Sequence, residues 1–395
     1  MNLYEFQAKE LICRFGIEIP RGRVAGSADD AERLARRLAF PRFAIKAQIH
    51  GGARGAAGGI RFASSPEDAR AITGQLLARP LVTSQTKPSG ERVRWVYVEE
   101  AFDIAQEIYA AVVVSRATAE LELLVSGQGG GDIEEKALAD ASVILRYRLV
   151  ATATSAAGDF TGAALAIGLS GPLAAKAAEV FAGMARLAVE LDATLVEINP
   201  LAVTRDGRLV ALDAKLTVDG NALFRHPALS ALRAQIQVEE GDPKELAADR
   251  HQLNYQKMDG NVGVVCNGAG LSLATLDMLI DAGLKPANFM DVRTTASSMD
   301  VAYGIEVVLE NPNVAVLLIN IHGGGMQRCD TVAEGVGVAM RRLGRTDLPV
   351  IVRFAGNNAD FARVRLTASG VAFLAAADLS EAVEMVAAAL AEGAA

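Results

Sequence analysis

The segment Leu195–Lys215, LVEINPLAVTRDGRLVALDAK, constrains this chain more than any other, because it reads as a hairpin that holds polar groups at a fixed register. Two apolar runs flank Arg205-Asp206-Gly207, and Asp-Gly between apolar runs is a strong hairpin signal. A turn centred on Asp206 sets Asn199 opposite Asp213 and Glu197 opposite Lys215. Opposed side chains on one face of an antiparallel pair sit roughly 4.5–5.5 Å apart at Cβ, so an amide oxygen and a carboxylate come together. Those are the hard oxygen donors that Mg²⁺ takes when it also binds phosphates. The competing reading is an ordinary hairpin with two polar residues at its wet end.

A second pattern lies upstream. Phe43–Ala47 reads as a short strand carrying Lys46, and it runs into Gly51-Gly52-Ala53-Arg54-Gly55-Ala56-Ala57-Gly58-Gly59 before a further strand. Five glycines in nine residues let backbone N–H groups approach a polyphosphate, while Lys46 and Arg54 supply the countercharge. No Gly-Lys-Ser/Thr follows, and a strand rather than a helix comes next, so this is not a Walker A loop. A glycine-rich strand-loop-strand with a lysine ahead of it, joined to a distant Asn/Asp hairpin, is the pattern of an ATP-grasp nucleotide site.

At 395 residues more than one core is expected. The net charge of −8 argues against nucleic acid as a partner, so any pull on anionic substrates is local. Cys13, Cys266 and Cys329 lack metal-ligand spacing and read as reduced thiols of a cytoplasmic protein. Met1–Ile12 mixes charges with apolar residues, unlike a signal peptide, and runs such as Val314–Ile321 are too short to span a bilayer. Helical periodicity marks 4–15, 28–38 behind the N-cap Ser27, 65–77 and 173–191; strands are expected at 93–99, 107–114 and 119–125, and Gly127–Gly131 reads as loop. A polar, acidic stretch near 233–249 divides the chain, giving expected domains of 1–240 and 241–395. Beyond it, strands at 262–266, 287–292, 314–321, 350–354 and 371–375 alternate with helices, the order of an open, doubly wound parallel sheet. Asn267-Gly268-Ala269-Gly270, Arg293-Thr294-Thr295, Gly323-Gly324-Gly325 and Gly356-Asn357-Asn358 are then strand-to-helix loops along one edge, suited to a phosphate or carboxylate.

Over nearly its whole length the chain resembles the β subunits of succinyl-CoA synthetase and related ADP-forming acid–CoA ligases, malate–CoA ligase included. The motifs that carry the resemblance are MNLYEFQAKELICRFGIEIP, KAQIHGGARG, LVTSQT, VEINPL, DGNALFRHP, LNYQKMDGNVGVVCNGAGL, PANFMDV, Arg328-Cys329-Asp330 and VRFAGNN. The resemblance implies an N-terminal ATP-grasp fold followed by a flavodoxin-like CoA-ligase domain. It implies ATP and Mg²⁺ as cofactors, with ATP favoured over GTP. It also implies an α subunit that carries the CoA site and a histidine phosphorylated in relay, in an αβ or α₂β₂ complex. This chain has four histidines, His50, His226, His251 and His322, and no obvious CoA-binding domain, so no catalytic residue is expected on it. Carried over by position, Lys46, Gly52, Ala53, Arg54, Gly55, Glu99, Phe102 and Glu107 would bind nucleotide, with Glu99 near the adenine and Glu107 near the ribose. Asn199 and Asp213 would bind the metal. Asn267, Arg293, Thr294, Gly324, Gly325, Gln327 and Arg328 would meet the acid and the partner's phosphohistidine.

Three departures bear on the substrate. Ala56 stands where the family has a lysine, and Ala53 where glycine is commoner. The family's three glycines after PANF-x-DV are Arg293-Thr294-Thr295 here, and arginine suits bidentate carboxylate or sulfonate recognition. The segment Ile321–Arg328 is one residue longer than the family's usual loop. Two changes at one expected site suggest a changed acid, such as malate or a sulfonated or larger carboxylate, and the competing reading is loop drift with succinate retained. The alternatives are a nucleotide-binding regulatory subunit without turnover and an ATP-grasp carboxylate–amine ligase, the latter disfavoured by the five-unit C-terminal region.

Overall fold

The computed structural model describes residues 1–152, 156–240, 243–344 and 347–392. By its contacts the chain divides into Met1–Ala231 and Leu232–Ala395. In the first unit, an antiparallel four-stranded sheet runs in the order Gly22–Ala25, Val96–Glu100, Phe43–Ala47, Ile60–Ala63. Helices Ala28–Leu38 and Pro66–Leu77 contribute Ala31, Ala35, Ile72 and Leu76 to a core with Phe43, Ile45, Val96 and Val98. Both helices start where Ser27 and Ser65 accept the N–H groups of Asp30 and Asp68, at 3.1 and 3.0 Å, satisfying donors that a helix start leaves open.

A second, seven-stranded sheet is built on Ala193–Thr204, which pairs with Ile104–Ser115 on one side and with Leu209–Ala211 and Ala214–Val218 on the other. The register is that of a turn centred on Asp206, from Val203 opposite Leu209 to Thr217 opposite Leu195, and Glu197 faces Lys215. Gly207, at φ +82°, supplies the left-handed turn residue. Asn199 donates its N–H to the Asp213 carbonyl at 3.2 Å. The helix Glu5–Arg14 packs on the hairpin strand Ala214–Val218, where Leu3 N–H bonds to the Leu216 carbonyl at 3.0 Å.

The second unit is a six-stranded sheet in the order Leu253–Lys257, Asn288–Val292, Val262–Cys266, Val316–Gly323, Val350–Gly356, Leu374–Ala375. The last five are parallel and, numbered along the chain, stand 2-1-3-4-5, the flavodoxin-like order. Leu253–Lys257 adds an antiparallel edge that the sequence pattern does not show. The polar stretch that reads as a divider is helical, in Pro227–Glu240 and Pro243–Arg250.

Helices Ser298–Leu309 and Cys329–Leu343 cross closely at Gly335, where an added Cβ would lie 2.6 Å from the Ser298 carbonyl oxygen and 2.7 Å from Val301 Cβ. Gly335→Ala gains about 1 kcal/mol of helix propensity but forces apart a packed crossing, a cost of about 1–3 kcal/mol. The expected net result is a lower denaturant midpoint in urea unfolding, and a raised midpoint would show that the crossing is looser than described.

Candidate functional site

Lys46 lies on Phe43–Ala47, a strand buried throughout, and its ammonium sits 2.7 Å from Glu99 Oε1 and 3.1 Å from Glu5 Oε1. It also donates to the Leu212 carbonyl at the hairpin. Arg54, on the glycine-rich loop, places Nη1 2.7 Å from Glu5 Oε2 and Nη2 2.7 Å from Asp213 Oδ2, and Nη1 bonds to the Ala47 carbonyl at 2.9 Å. Lys9 closes the group, 2.8 Å from Glu5 and 2.6 Å from Glu99. Burial alone would push the Glu5 carboxyl up, but Arg54, Lys46 and Lys9 together outweigh it and hold the carboxyl well below its usual range. Burial would lower Lys46 and Arg54. The carboxylates Glu5, Glu99 and Asp213 around Lys46, and Asp213 and Glu5 around Arg54, raise both well above their ordinary values. Lys46 and Arg54 of the glycine-rich segment and Asp213 of the distant hairpin, singled out by sequence, are thus in one cluster.

Glu99 is fully committed within it: its carboxylate is buried on Lys9 and Lys46 rather than standing at a strand end in solvent. Sequence reasoning missed Glu5 and Lys9. Their only signal was an i, i+4 pair of opposite charges in the opening helix, which reads just as well as a solvated face.

Asn199 is held by a loop to which the sequence assigned no role. Its Oδ1 accepts the Gly130 N–H at 2.8 Å, and its Nδ2 donates to the Gly130 carbonyl at 3.1 Å. Gly129 packs so tightly on strand Ile104–Ser115 that a Cβ would lie 2.8–3.0 Å from Ile108 backbone atoms, and a Cβ on Gly130 would meet Glu107 Oε2 at 2.8 Å. Asn199 and Glu107 therefore share the Gly127–Gly131 turn. As hard donors, the Asn199 amide oxygen and the Asp213 carboxylate fit Mg²⁺ in kind, with the remaining ligands left to phosphate and water. Among the described residues no cluster of three or more His, Cys, Asp or Glu could hold a metal by itself.

In the glycine-rich loop, Gly52 N–H bonds to Gln85 Oε1 at 2.9 Å, while Gly55 and Ala56 are exposed. Ala53 sits at φ +58°, a left-handed position that explains why glycine suits this residue better. His50 stacks on Tyr4, with ring centroids 4.4 Å apart, and burial depresses its pKa against the opposing Glu91 carboxylate. Phe102 packs under the Arg208 guanidinium, 4.9 Å from ring centroid to Cζ.

In the second unit, Asn267 stands at the reversal of strand order, between Val262–Cys266 and Val316–Gly323, where such sheets bind ligands. Its side chain bridges the strands, accepting the His322 N–H at 2.8 Å and donating to the His322 carbonyl at 2.9 Å. Gly268 N–H is fixed on the other side by Asp291 Oδ1 at 2.6 Å. Gly324 N–H bonds to the Gln327 carbonyl at 2.9 Å, and Gly324 O accepts from Asn357 at 3.0 Å; Gly325 has open space around it. Gln327 is buried with no partner for its Nε2 among the described residues. Arg328 is largely exposed at the start of helix Cys329–Leu343, 3.5 Å from Asp330. Thr294 is exposed. Arg293 is not a waiting cation: its guanidinium is held by Asn254 Oδ1, at 2.6 and 3.1 Å, and by the Asp249 carboxylate. Asp249, Asn254 and Asp291 have no counterpart in the sequence reading.

Residues 2–203 match the family described as ATP-grasp domain, and residues 265–387 match that described as CoA-ligase. The chain is 42% identical over 390 residues to the succinate–CoA ligase [ADP-forming] subunit beta of Chlorobium luteolum, covering 98% of each chain. It is 39% identical over 386 residues to the protein of that name from Geobacillus kaustophilus, covering 98% of this chain and 99% of the relative. ATP citrate lyase from Methanothrix soehngenii superposes with a TM-score of 0.76 at 18% identity, over 99% of both chains, and so shares the fold. Among the described residues no helix is long and apolar enough to cross a membrane. With both domain families matched in order and relatives aligned end to end, the chain belongs to the β-subunit family of ADP-forming succinate–CoA ligases.

Proposed function

We propose that this chain is the nucleotide-binding β subunit of an ADP-forming acid–CoA ligase, active with an α subunit that carries the CoA site and the histidine that relays phosphate. The observation that carries this is the convergence of Lys46, Arg54 and Asp213 from two sheets into one cluster. Lys46 and Arg54 act electrostatically, holding nucleotide phosphates against the charge that develops in transfer, the main protein contribution to phosphoryl transfer. The backbone N–H of Gly55 adds a donor that needs no side-chain ordering. Glu99 acts through Lys46, Glu107 lies beside the Gly130 turn that holds Asn199, and Phe102 would join the nucleotide site only by resemblance, since its ring packs under Arg208. Mg²⁺ held by Asn199 and Asp213 would supply charge neutralisation between phosphate oxygens. Asn199, fixed at both ends of its amide by Gly130, would present its oxygen without reorganisation.

For the acid, Asn267, Gly324, Gly325, Gln327 and Arg328 line the carboxyl edge of the second sheet, where Arg328 at a helix start favours an anion. The altered Arg293-Thr294-Thr295 loop and the lengthened Ile321–Arg328 segment support an acid other than succinate, such as malate or a sulfonated carboxylate. The reading of a regulatory subunit without turnover draws on Ala56, but that residue is exposed and the cations Lys46 and Arg54 remain in place.

Three measurements test this. The chain co-expressed with its α partner should release ADP, dependent on CoA, with one acid of a panel that includes succinate, malate and sulfoacetate. Nucleotide binding without turnover on any acid would favour the regulatory reading. Asp213→Ala should lower kcat/KM for ATP by about 100-fold or more and leave KM for the acid near its starting value. If Arg293 reads the acid, Arg293→Gly shifts kcat/KM between acids by about tenfold, the value of one lost charge-assisted contact. Unchanged selectivity would leave Arg293 only its observed task of tying down Asp249 and Asn254.

A further inference from the structure

Of the three cations in the charge cluster, Lys9 on helix Glu5–Arg14 is the one sealed off completely, with 0% side-chain exposure against 7% for Lys46 and 6% for Arg54. Its ammonium lies 2.8 Å from Glu5 Oε1 and 2.6 Å from Glu99 Oε2. Lys46 lies 3.1 Å from the same Glu5 oxygen and 2.7 Å from the other Glu99 oxygen, so the four side chains form a closed ring of alternating charge. Arg54 extends the ring from Glu5 to Asp213, at 2.7 Å on each side.

The charge count decides what the cluster can do. With Lys9 present, three cations (Lys9, Lys46, Arg54) balance three carboxylates (Glu5, Glu99, Asp213). Without it, two cations face three carboxylates, and a site meant for a polyphosphate carries a net negative charge. Buried charges are little screened by salt or solvent, so that excess acts directly on an incoming phosphate. It also draws Lys46 and Arg54 more firmly onto Glu5 and Glu99 and away from any ligand.

We propose that Lys9 is a positioning residue for nucleotide binding: by neutralising Glu5 and Glu99 from the buried side, it leaves Lys46 and Arg54 available to phosphate on the other. The proposal rests on the nucleotide-site reading given above and extends it to a residue that meets no substrate.

The test is calorimetric titration of the full chain with MgADP at low ionic strength, together with thermal unfolding of each variant. Lys9→Gln keeps an amide donor to the carboxylates but removes the charge, and it should weaken MgADP binding at least tenfold. Lys9→Gln/Glu5→Gln removes one charge of each sign, leaving Lys46 and Arg54 against Glu99 and Asp213, and should bind within about threefold of wild type. A lysine of purely structural value would not have its affinity recovered by deleting a second charge. A folded Lys9→Gln that binds MgADP like wild type overturns the proposal, as does a double variant still weakened tenfold or more. Should Lys9→Gln fail to fold, the double variant decides alone. A wild-type chain that binds no MgADP overturns both this proposal and the nucleotide-site reading, whereas wild-type binding with an unaffected Lys9→Gln overturns this one only.

Discussion

Charge neutrality in a buried place is the constraint on which the first unit depends. Removing a charged group from water costs several kcal/mol even after relaxation, and only close, well-formed pairing offsets it. Glu5, Lys9, Lys46, Arg54 and Glu99 are all buried, and Asp213 is only 28% exposed at its side chain. Each must find its partners, and those partners lie on the opening helix, two strands of the four-stranded sheet, the glycine-rich loop and the end of the hairpin. The two sheets of the unit are therefore tied through their ionic groups as well as through helix Glu5–Arg14, which packs on the hairpin strand while its Lys9 reaches Glu99. If the cluster binds nucleotide as proposed, that chemistry and fold specificity draw on the same contacts, and a change to one is a change to the other.

Much of this was legible because strong periodicity leaves few options. The hairpin register follows from one turn centre and a side-chain period of two, and Asp206-Gly207 fixes that centre. Helix Ala28–Leu38 begins behind its expected cap Ser27, and helix Pro66–Leu77 starts one residue later than expected because Ser65 is its cap. The alternation of strand and helix after residue 262 identifies the parallel sheet, and handedness and adjacency rules limit its order. The strands Gly22–Ala25, Leu145–Ala151 and Leu253–Lys257 went unseen for a common reason: they are short or polar and gain their identity from the neighbour they pair with. Glu5 and Lys9 were hidden differently. A charged i, i+4 pair on an amphipathic helix has the same sequence signature whether it faces water or a buried counter-ion, and only the tertiary partner Glu99 distinguishes the two. Gly129 and Gly130 read as a simple turn because close backbone approach leaves no mark beyond the glycine itself.

Arg293 shows the limit of reading function from residue type. An arginine replacing glycine beside an expected acid site invites a role in recognition. The structure gives it a mechanical one as well: its guanidinium joins Asn254 on the antiparallel edge strand to Asp249 on the helix before it. Asn254 in turn donates to Asp291, which fixes the Gly268 N–H at the start of helix Ala269–Asp281. Arg293 is thus linked through Asn254 and Asp291 to the loop that carries Asn267.

The two candidate sites meet their ligands in opposite ways. In the first unit the charged groups are already satisfied by one another, so a phosphate reaches Arg54 only by competing with Glu5 and Asp213, and a cation at Asp213 competes with Arg54. Binding there is an exchange of partners, and an exchange discriminates by charge: a neutral ligand would leave a buried ion uncompensated. At the acid edge of the second unit the buried Nε2 of Gln327 has no partner among the described residues, and neither has the Asn320 oxygen on the strand that leads into that loop. An unpaired buried polar group carries a penalty of about 1–3 kcal/mol. On the proposed reading, recognition here would be an addition rather than an exchange, and it would discriminate by the placement of single donors and acceptors. Such a site can be retuned to a new acid by a few loop residues, whereas the charge ring of the first unit can change only as a set.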